Sequence, residues 1–113
     1  MKTVTYYITA LLLFAIPALA ADVMENQARL ELAAKATVAL LLQKSELRID
    51  LQSRKAWIDP TLWMTMDAFH KETITRMFAL YCDSKYPSVT VYNKQSAREL
   101  ASYGPFQGFR IAP

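Results

Sequence analysis

The chain holds one histidine and one cysteine, and both lie in the stretch DPTLWMTMDAFHKETITRMFALYC, which runs from Asp59 to Cys82. Histidine can transfer protons near neutral pH or ligate a metal, and cysteine can act as a nucleophile beside a base. A catalytic dyad would require hydrogen-bond contact between His70 and Cys82. Twelve residues separate them on one predicted helix, which places them about 18 Å apart along its axis and about 120° apart around it. The spacing therefore argues against a dyad of these two residues.

Each residue has a simpler role as well. A metal site needs three or four converging ligands, and no second histidine is present, so we predict no metal and no cofactor. The sequence favours His70 as an inward-facing neutral imidazole that bonds to a carbonyl of the sheet. Cys82 is predicted to be a packed thiol, with an intermolecular disulfide as its alternative role.

The segment SYGPFQGFRIAP near the end of the sequence carries the remaining candidate residues, Phe106 and Phe109. They flank Gln107-Gly108 in a predicted loop, and an aromatic loop can dock a partner protein. Phe109 and Ile111 can equally form the core face of a last strand. The sequence leaves these two interpretations open.

One amphipathic helix is predicted to hold His70 and Cys82, from Asp59 to about Ser84. Asp59 can cap its first amides and Pro60 suits the first helical position. At 100° per residue the side chains divide into an inward and an outward set. The inward set is Leu62, Met66, Phe69, Thr73, Met77 and Leu80, and the outward set includes Lys71, Thr75, Arg76 and Ala79.

The elements on either side of this helix predict the fold. A helix is expected from about Met24 to Lys44, although a buried strand over Thr37–Gln43 fits the same apolar run. Its one apolar stripe is Ala28, Leu32, Ala36 and Ala39. Alternating residues over Leu47–Asp59 predict one β-hairpin, and the segments Val89–Tyr92 and Arg98–Tyr103 predict a second, followed by a candidate fifth strand at Phe109–Ile111.

This order predicts a small single α+β domain. It consists of an N-terminal helix, a β-hairpin, a central amphipathic helix and a C-terminal β-hairpin. The antiparallel sheet is expected to have its helices packed on one face.

The first twenty residues have the three parts of a cleaved signal peptide. Lys2 gives a short positive region, Tyr6–Ile16 is apolar, and Ala18-Leu19-Ala20 supplies small residues for cleavage. We therefore predict a signal peptide over 1–20 and one mature domain over 21–113. The protein is expected to be periplasmic, with an extracellular location as the alternative, and not to span the membrane after cleavage.

Composition narrows the function classes further. Loss of Lys2 leaves 12 Lys and Arg against 10 Asp and Glu, so the formal charge falls from +3 to +2. The basic residues are scattered rather than clustered, which argues against nucleic-acid binding. With one cysteine and two glycines, the chain offers neither an internal disulfide nor a glycine-rich phosphate loop.

Three functional hypotheses remain. The first is a non-enzymatic exported protein that acts as an accessory subunit of a cell-envelope assembly, related to secretion or conjugation, and contacts a partner protein or a second copy of itself. The second is a periplasmic protein that binds a small ligand or inhibits an enzyme. The third is a hydrolase that uses His70 together with carboxylates from the hairpins.

Overall fold

The computed structural model describes the backbone from Val23 to Pro113 and the side chains from Ala28 onward. The predicted signal peptide lies outside these residues. Three helices and five strands follow one another along the described chain. They are α1 (Val23–Gln43), β1 (Leu47–Asp50), β2 (Lys55–Ile58), α2 (Pro60–Thr65), α3 (Ala68–Cys82), β3 (Val89–Asn93), β4 (Glu99–Gly104) and β5 (Gly108–Ile111).

The strands form one sheet in the order β1-β2-β3-β4-β5, so that β1 and β5 are its edges. Three neighbouring pairs are antiparallel and the central pair, β2 with β3, is parallel. β2 and β3 are parallel because the segment of α2 and α3 connects them. This segment carries the chain from the end of β2 back to the end of the sheet at which β2 begins, so that β3 runs in the same direction. The α+β class, the N-terminal helix and both hairpins are confirmed, and the candidate fifth strand is present as β5.

The core lies between one face of the sheet and the helices α1 and α3, which also pack on each other. Its largest fully buried side chains include Leu41 from α1, Ile58 from β2, and Phe78 from α3. Alternate residues of each strand point to this face, whereas their neighbours point to the opposite face. Along residues 23–113 no helix is long and apolar enough to cross a membrane.

The predicted single helix from Asp59 to Ser84 is wrong, because it is divided at Met66 and Asp67. Met66 adopts an extended backbone conformation with φ −92° and ψ 142°. The Asp67 carboxylate then caps a new helix by accepting a hydrogen bond of 2.8 Å from the His70 amide. A second aspartate cap inside the apolar pattern therefore restarts the helix with a different phase.

This change of phase, together with contacts on two sides of α3, alters which residues are buried. Phe69 was predicted to point inward and is 53% exposed. Thr75 and Ala79 were predicted to point outward and are fully buried. The hydroxyl of Thr75 is satisfied within the helix, since it donates to the Lys71 carbonyl at 2.7 Å.

Helix α1 is helical through Thr37–Gln43, so the alternative of a strand is excluded. Its predicted apolar stripe is exposed, and the opposite side packs into the core through Ala34, Thr37, Val38 and Leu41. The helix ends at Gln43, and Ser45 in the following turn adopts a left-handed φ of 59°. The Ser45 amide donates to the Leu42 carbonyl and the Glu46 amide to the Leu41 carbonyl, which closes the last turn before β1.

Candidate functional site

His70 lies in the first turn of α3, where it forms a pair with the capping residue Asp67. Its Nδ1 atom is 2.6 Å from Asp67 Oδ1, and because an ionised carboxylate only accepts, Nδ1 donates. The hydrogen bonds from the His70 backbone amide and then from its ring lower the pKa of Asp67. Only 12% of the His70 side chain is exposed, and its ring contacts Phe69 edge-on at 5.4 Å. This local pair ties the imidazole to the cap of its own helix.

Cys82 is the last residue of the same helix, so the break before Asp67 does not bring it nearer to His70. Twelve residues of helix still separate the two, or about 18 Å along the axis. Burial raises the pKa of the Cys82 thiol to about 11, which keeps it protonated at neutral pH. The thiol borders a cleft of about 400 Å³ that also contacts Glu31 and Lys35 of α1. This environment is typical of a packed thiol, and the raised pKa disfavours a nucleophilic role for Cys82.

A second cleft, of about 310 Å³, lies at the end of the sheet where β2 and β3 begin. Arg54 lines it and donates to Ser88 Oγ at 3.1 Å and to Asp83 Oδ2 at 3.0 Å. Hydroxyl groups and a carboxamide form much of the wall, from Ser53, Ser88, Thr90, Ser102, Tyr103 and Gln107. Because Asp83 already pairs with the guanidinium, the cleft presents hydrogen-bonding groups rather than a free cation.

The outer face of the sheet carries a row of planar groups across β1, β2 and β3. The Arg48 guanidinium lies 4.3 Å from the centre of the Trp57 ring, and Trp57 stacks on Tyr92 at 5.8 Å with an angle of 25°. These three residues are cross-strand neighbours in register. Both faces of the indole are therefore covered by the protein itself. The row stabilises the sheet and leaves no open face of Trp57 on which a sugar ring or base would stack.

The C-terminal hairpin, β4 with β5, exposes apolar side chains at its tip and along its edge. Phe106 in the turn between the strands is 95% exposed, and Ile111 on β5 is 52% exposed. Phe109 is half-buried and packs against the core on the helix-covered side. The sequence left docking and core packing as equal interpretations for the two phenylalanines. The structure divides these roles, with Phe109 in the core and Phe106 in solvent.

The backbone of β5 defines what this edge presents. Ala112 donates to the Leu100 carbonyl at 2.9 Å, and in this register Arg110 and Gly108 are likewise paired with β4. Bonded and non-bonded pairs alternate in an antiparallel ladder, so Phe109 and Ile111 direct their amide and carbonyl groups away from β4. Sequence alternation located the strand, but which edge it forms and which amides point outward depend on pairing.

Within residues 23–113, no group of three or more His, Cys, Asp or Glu side chains is placed to hold a metal ion. Near these candidate residues, Asp67 pairs with His70 and Arg54 pairs with Asp83. Comparisons with protein-family models, with curated proteins and with solved structures find no match for this chain.

Proposed function

We propose that the chain is an exported interaction protein, an accessory subunit of a cell-envelope assembly of the secretion or conjugation type. In this proposal the β4–β5 hairpin contacts a partner protein. The observation that carries it is the exposure of Phe106, which is 95% accessible in the turn between the paired strands β4 and β5. An exposed aromatic side chain on a rigid turn loses little conformational entropy on binding, which makes it an effective anchor for a partner.

The placement of Ile111 supports the same surface. It is 52% exposed at the end of β5 farthest from the tip, so the hairpin exposes a second apolar side chain along its edge. Clustered apolar groups at the surface favour protein contacts, whereas single ones are common on any protein. Met64, which is 80% exposed on α2, provides a comparison position outside the hairpin.

Site-specific photocrosslinking in intact cells tests this proposal. A photoreactive amino acid at position 106 is expected to give a discrete adduct with an envelope protein, and the same amino acid at position 64 is expected to give none. Equal labelling from both positions, or no adduct from position 106, would contradict the proposed surface.

Export is tested separately by the intact mass of the protein recovered from the periplasm. A mature chain that begins at Ala21 supports the proposal, in agreement with the leader pattern of the first twenty residues. A mass that retains Met1 would overturn the assignment to the envelope.

Binding of a small polar ligand is a second candidate function, and the cleft at Arg54 favours it. Its walls combine hydroxyl groups with one paired guanidinium in a volume of about 310 Å³, which is within the lower range of ligand sites. Thermal-shift screening with uncharged sugars, and with acetate and phosphate as anions, tests this function. A stabilisation that Thr90→Val abolishes would support the cleft, and no stabilisation by any of these compounds would argue against it.

A further inference from the structure

We propose that β5 binds an extended segment of the partner protein as a sixth strand, and that this segment alternates apolar with acidic residues. The inference rests on the proposed interaction function and specifies the chemistry of the partner.

The outward backbone groups of β5 determine the form of the partner segment. Phe109 and Ile111 each direct an N–H and a C=O group away from β4, as the pairing of Ala112 with Leu100 requires. An extended segment satisfies such groups by main-chain hydrogen bonds, whereas a helix cannot, because its own backbone groups are already paired. The occupant of this edge is therefore a strand.

The side chains of β5 determine the alternation of that segment. Phe109 and Ile111 point to the helix-covered side of the sheet, and Arg110 points to the opposite side. A residue of the added strand beside Ile111 would bury the exposed half of that side chain, which favours Val, Ile or Leu there. A residue beside Arg110 lies on the outer face, where a carboxylate is favoured and a basic residue is disfavoured.

Charges on the outer face support an acidic partner. Arg110 is exposed, and its neighbours in register across the sheet are Ser102 and Thr90, neither of which carries a charge. Along the described chain no carboxylate is paired with Arg110. An Asp or Glu on the added strand would supply this missing counter-charge at the surface.

A second copy of the chain fits this edge less well. The antiparallel register that would place Phe109 opposite Ile111 of a second copy also places Arg110 opposite Arg110 of that copy. Like charges directly opposite each other destabilise a strand pair. The alternation that favours an acidic partner therefore disfavours symmetric self-association in this register.

The test uses the mature protein and two capped synthetic hexapeptides, one that alternates valine with glutamate and one that alternates valine with lysine. The glutamate peptide is expected to bind at least about tenfold more tightly than the lysine peptide, measured by NMR titration of amide shifts. The shifts are expected at Phe109, Arg110 and Ile111. Equal affinities, shifts confined to β1, or no binding at millimolar peptide would each overturn the proposal.

Two variants separate backbone pairing from charge. Ile111→Pro removes an outward N–H without removing a bond to β4, and it is expected to weaken binding of the glutamate peptide at least about tenfold. Arg110→Glu keeps the backbone and is expected to reverse the preference toward the lysine peptide. The matched control, Arg48→Glu on β1, should leave the preference unchanged once circular dichroism shows that it is folded.

Sedimentation velocity distinguishes a second copy from a partner. A monomer at micromolar concentration is expected, whereas a dimer that Ile111→Pro dissociates would overturn the proposed partner segment. The two proposals fail differently. If crosslinks from position 106 persist in the Ile111→Pro variant, the hairpin contacts a protein but strand addition is wrong, and if no crosslinks form in any variant the interaction function itself is wrong.

Discussion

In β1 the triplet Leu47-Arg48-Ile49 alternates apolar, basic and apolar residues, and in β5 the triplet Phe109-Arg110-Ile111 does the same. Both strands are edges of the sheet, and in both the two apolar residues turn their amides away from the neighbouring strand. Their surroundings differ. Leu47 is 3% exposed and its counterpart Phe109 is half-buried, whereas Ile49 is half-buried and its counterpart Ile111 is 52% exposed.

The arginines differ in the same way. Arg48 lies over the ring of Trp57, its neighbour in register, at 4.3 Å. Arg110 has the small Ser102 in that position. Helix α1 packs on β1 and helix α3 packs on β5, so the two edges differ in their side chains rather than in having a helix beside them. We call β1 the closed edge, because Leu47 is buried and Arg48 lies on an indole, and β5 the open edge, because Ile111 is half-exposed and Arg110 has no such ring beside it.

Trp57→Ala should break the closed edge and have the largest effect of the changes considered. It removes the central ring of the Arg48–Trp57–Tyr92 row, and the free energy of unfolding is expected to fall by about 2 kcal/mol. Urea denaturation followed by circular dichroism measures the loss. Tyr92→Phe keeps the stack and should cost less than about 0.5 kcal/mol. Equal losses in the two variants would show that the row is not the stabilising element.

Phe109→Ala and Phe106→Ala compare the buried and the exposed aromatic side chains of the β4–β5 hairpin. Phe109 packs against the core, so its truncation is expected to cost about 1.5 kcal/mol. Phe106→Ala should change the stability by less than about 0.5 kcal/mol, because its ring is in solvent. Thermal or urea unfolding of both variants checks this difference. A large loss in Phe106→Ala would mean that the ring packs in solution.

Glu46 immediately precedes β1, and its ionisation makes the stability of the protein depend on pH. Burial and the nearby Asp59 carboxylate raise the pKa of Glu46, an effect that Lys44 and Lys94 partly offset. Its ionisation therefore costs more in the folded than in the unfolded chain, so its contribution to stability is greatest below its usual value of 4.5 and falls as the pH rises through the raised pKa. Glu46→Gln should stabilise the protein at pH 7, where the buried carboxyl group would otherwise have to ionise, and have little effect at pH 4.

Urea unfolding of Glu46→Gln between pH 4 and pH 8 measures this effect. Glu99→Gln, at an exposed position on β4, is the matched control and should leave the pH profile unchanged. A destabilised Glu46→Gln at pH 7 would show that the carboxylate makes favourable contacts in its ionised form.

Ser102→Trp should convert the open edge toward the closed one. It places an indole across from Arg110, as Trp57 lies across from Arg48, and is expected to add about 0.5 kcal/mol of stability. Differential scanning calorimetry measures the gain. The same variant should bind the glutamate peptide more weakly, because Arg110 then packs on the introduced ring. If the variant is more stable but its peptide affinity is unchanged, the packing of Arg110 does not control peptide binding, and that part of the account is wrong.

The element order followed directly from the sequence where one strong local signal was present. The apolar alternation in Leu47–Asp59 and the Asp59-Pro60 start were enough to predict the first hairpin and the beginning of α2. The division at Met66 and Asp67 was missed, because the apolar pattern continues through it. Asp67 is chemically the same cap as Asp59, so a second aspartate within an apolar run was the available signal.

At the candidate surfaces, the exposure of side chains could not be predicted because it depends on how the strands pair. Phe106 and Phe109 were singled out by residue type, but their separation into solvent and core depends on the register of β4 with β5. The stack of Arg48 on Trp57 depends on cross-strand register in the same way. The sequence patterns of β1 and β5 are nearly the same, and only side-chain burial and cross-strand contacts in the fold show which edge has its side chains covered.

Amide hydrogen exchange in the presence of the glutamate peptide tests the comparison of the two edges most directly. We predict that exchange slows at Phe109 and Ile111, whose amides would bond to the added strand, and is unchanged at Leu47 and Ile49 of β1. Protection at the β1 amides, or unchanged exchange at Phe109 and Ile111 under saturating peptide, would contradict the account.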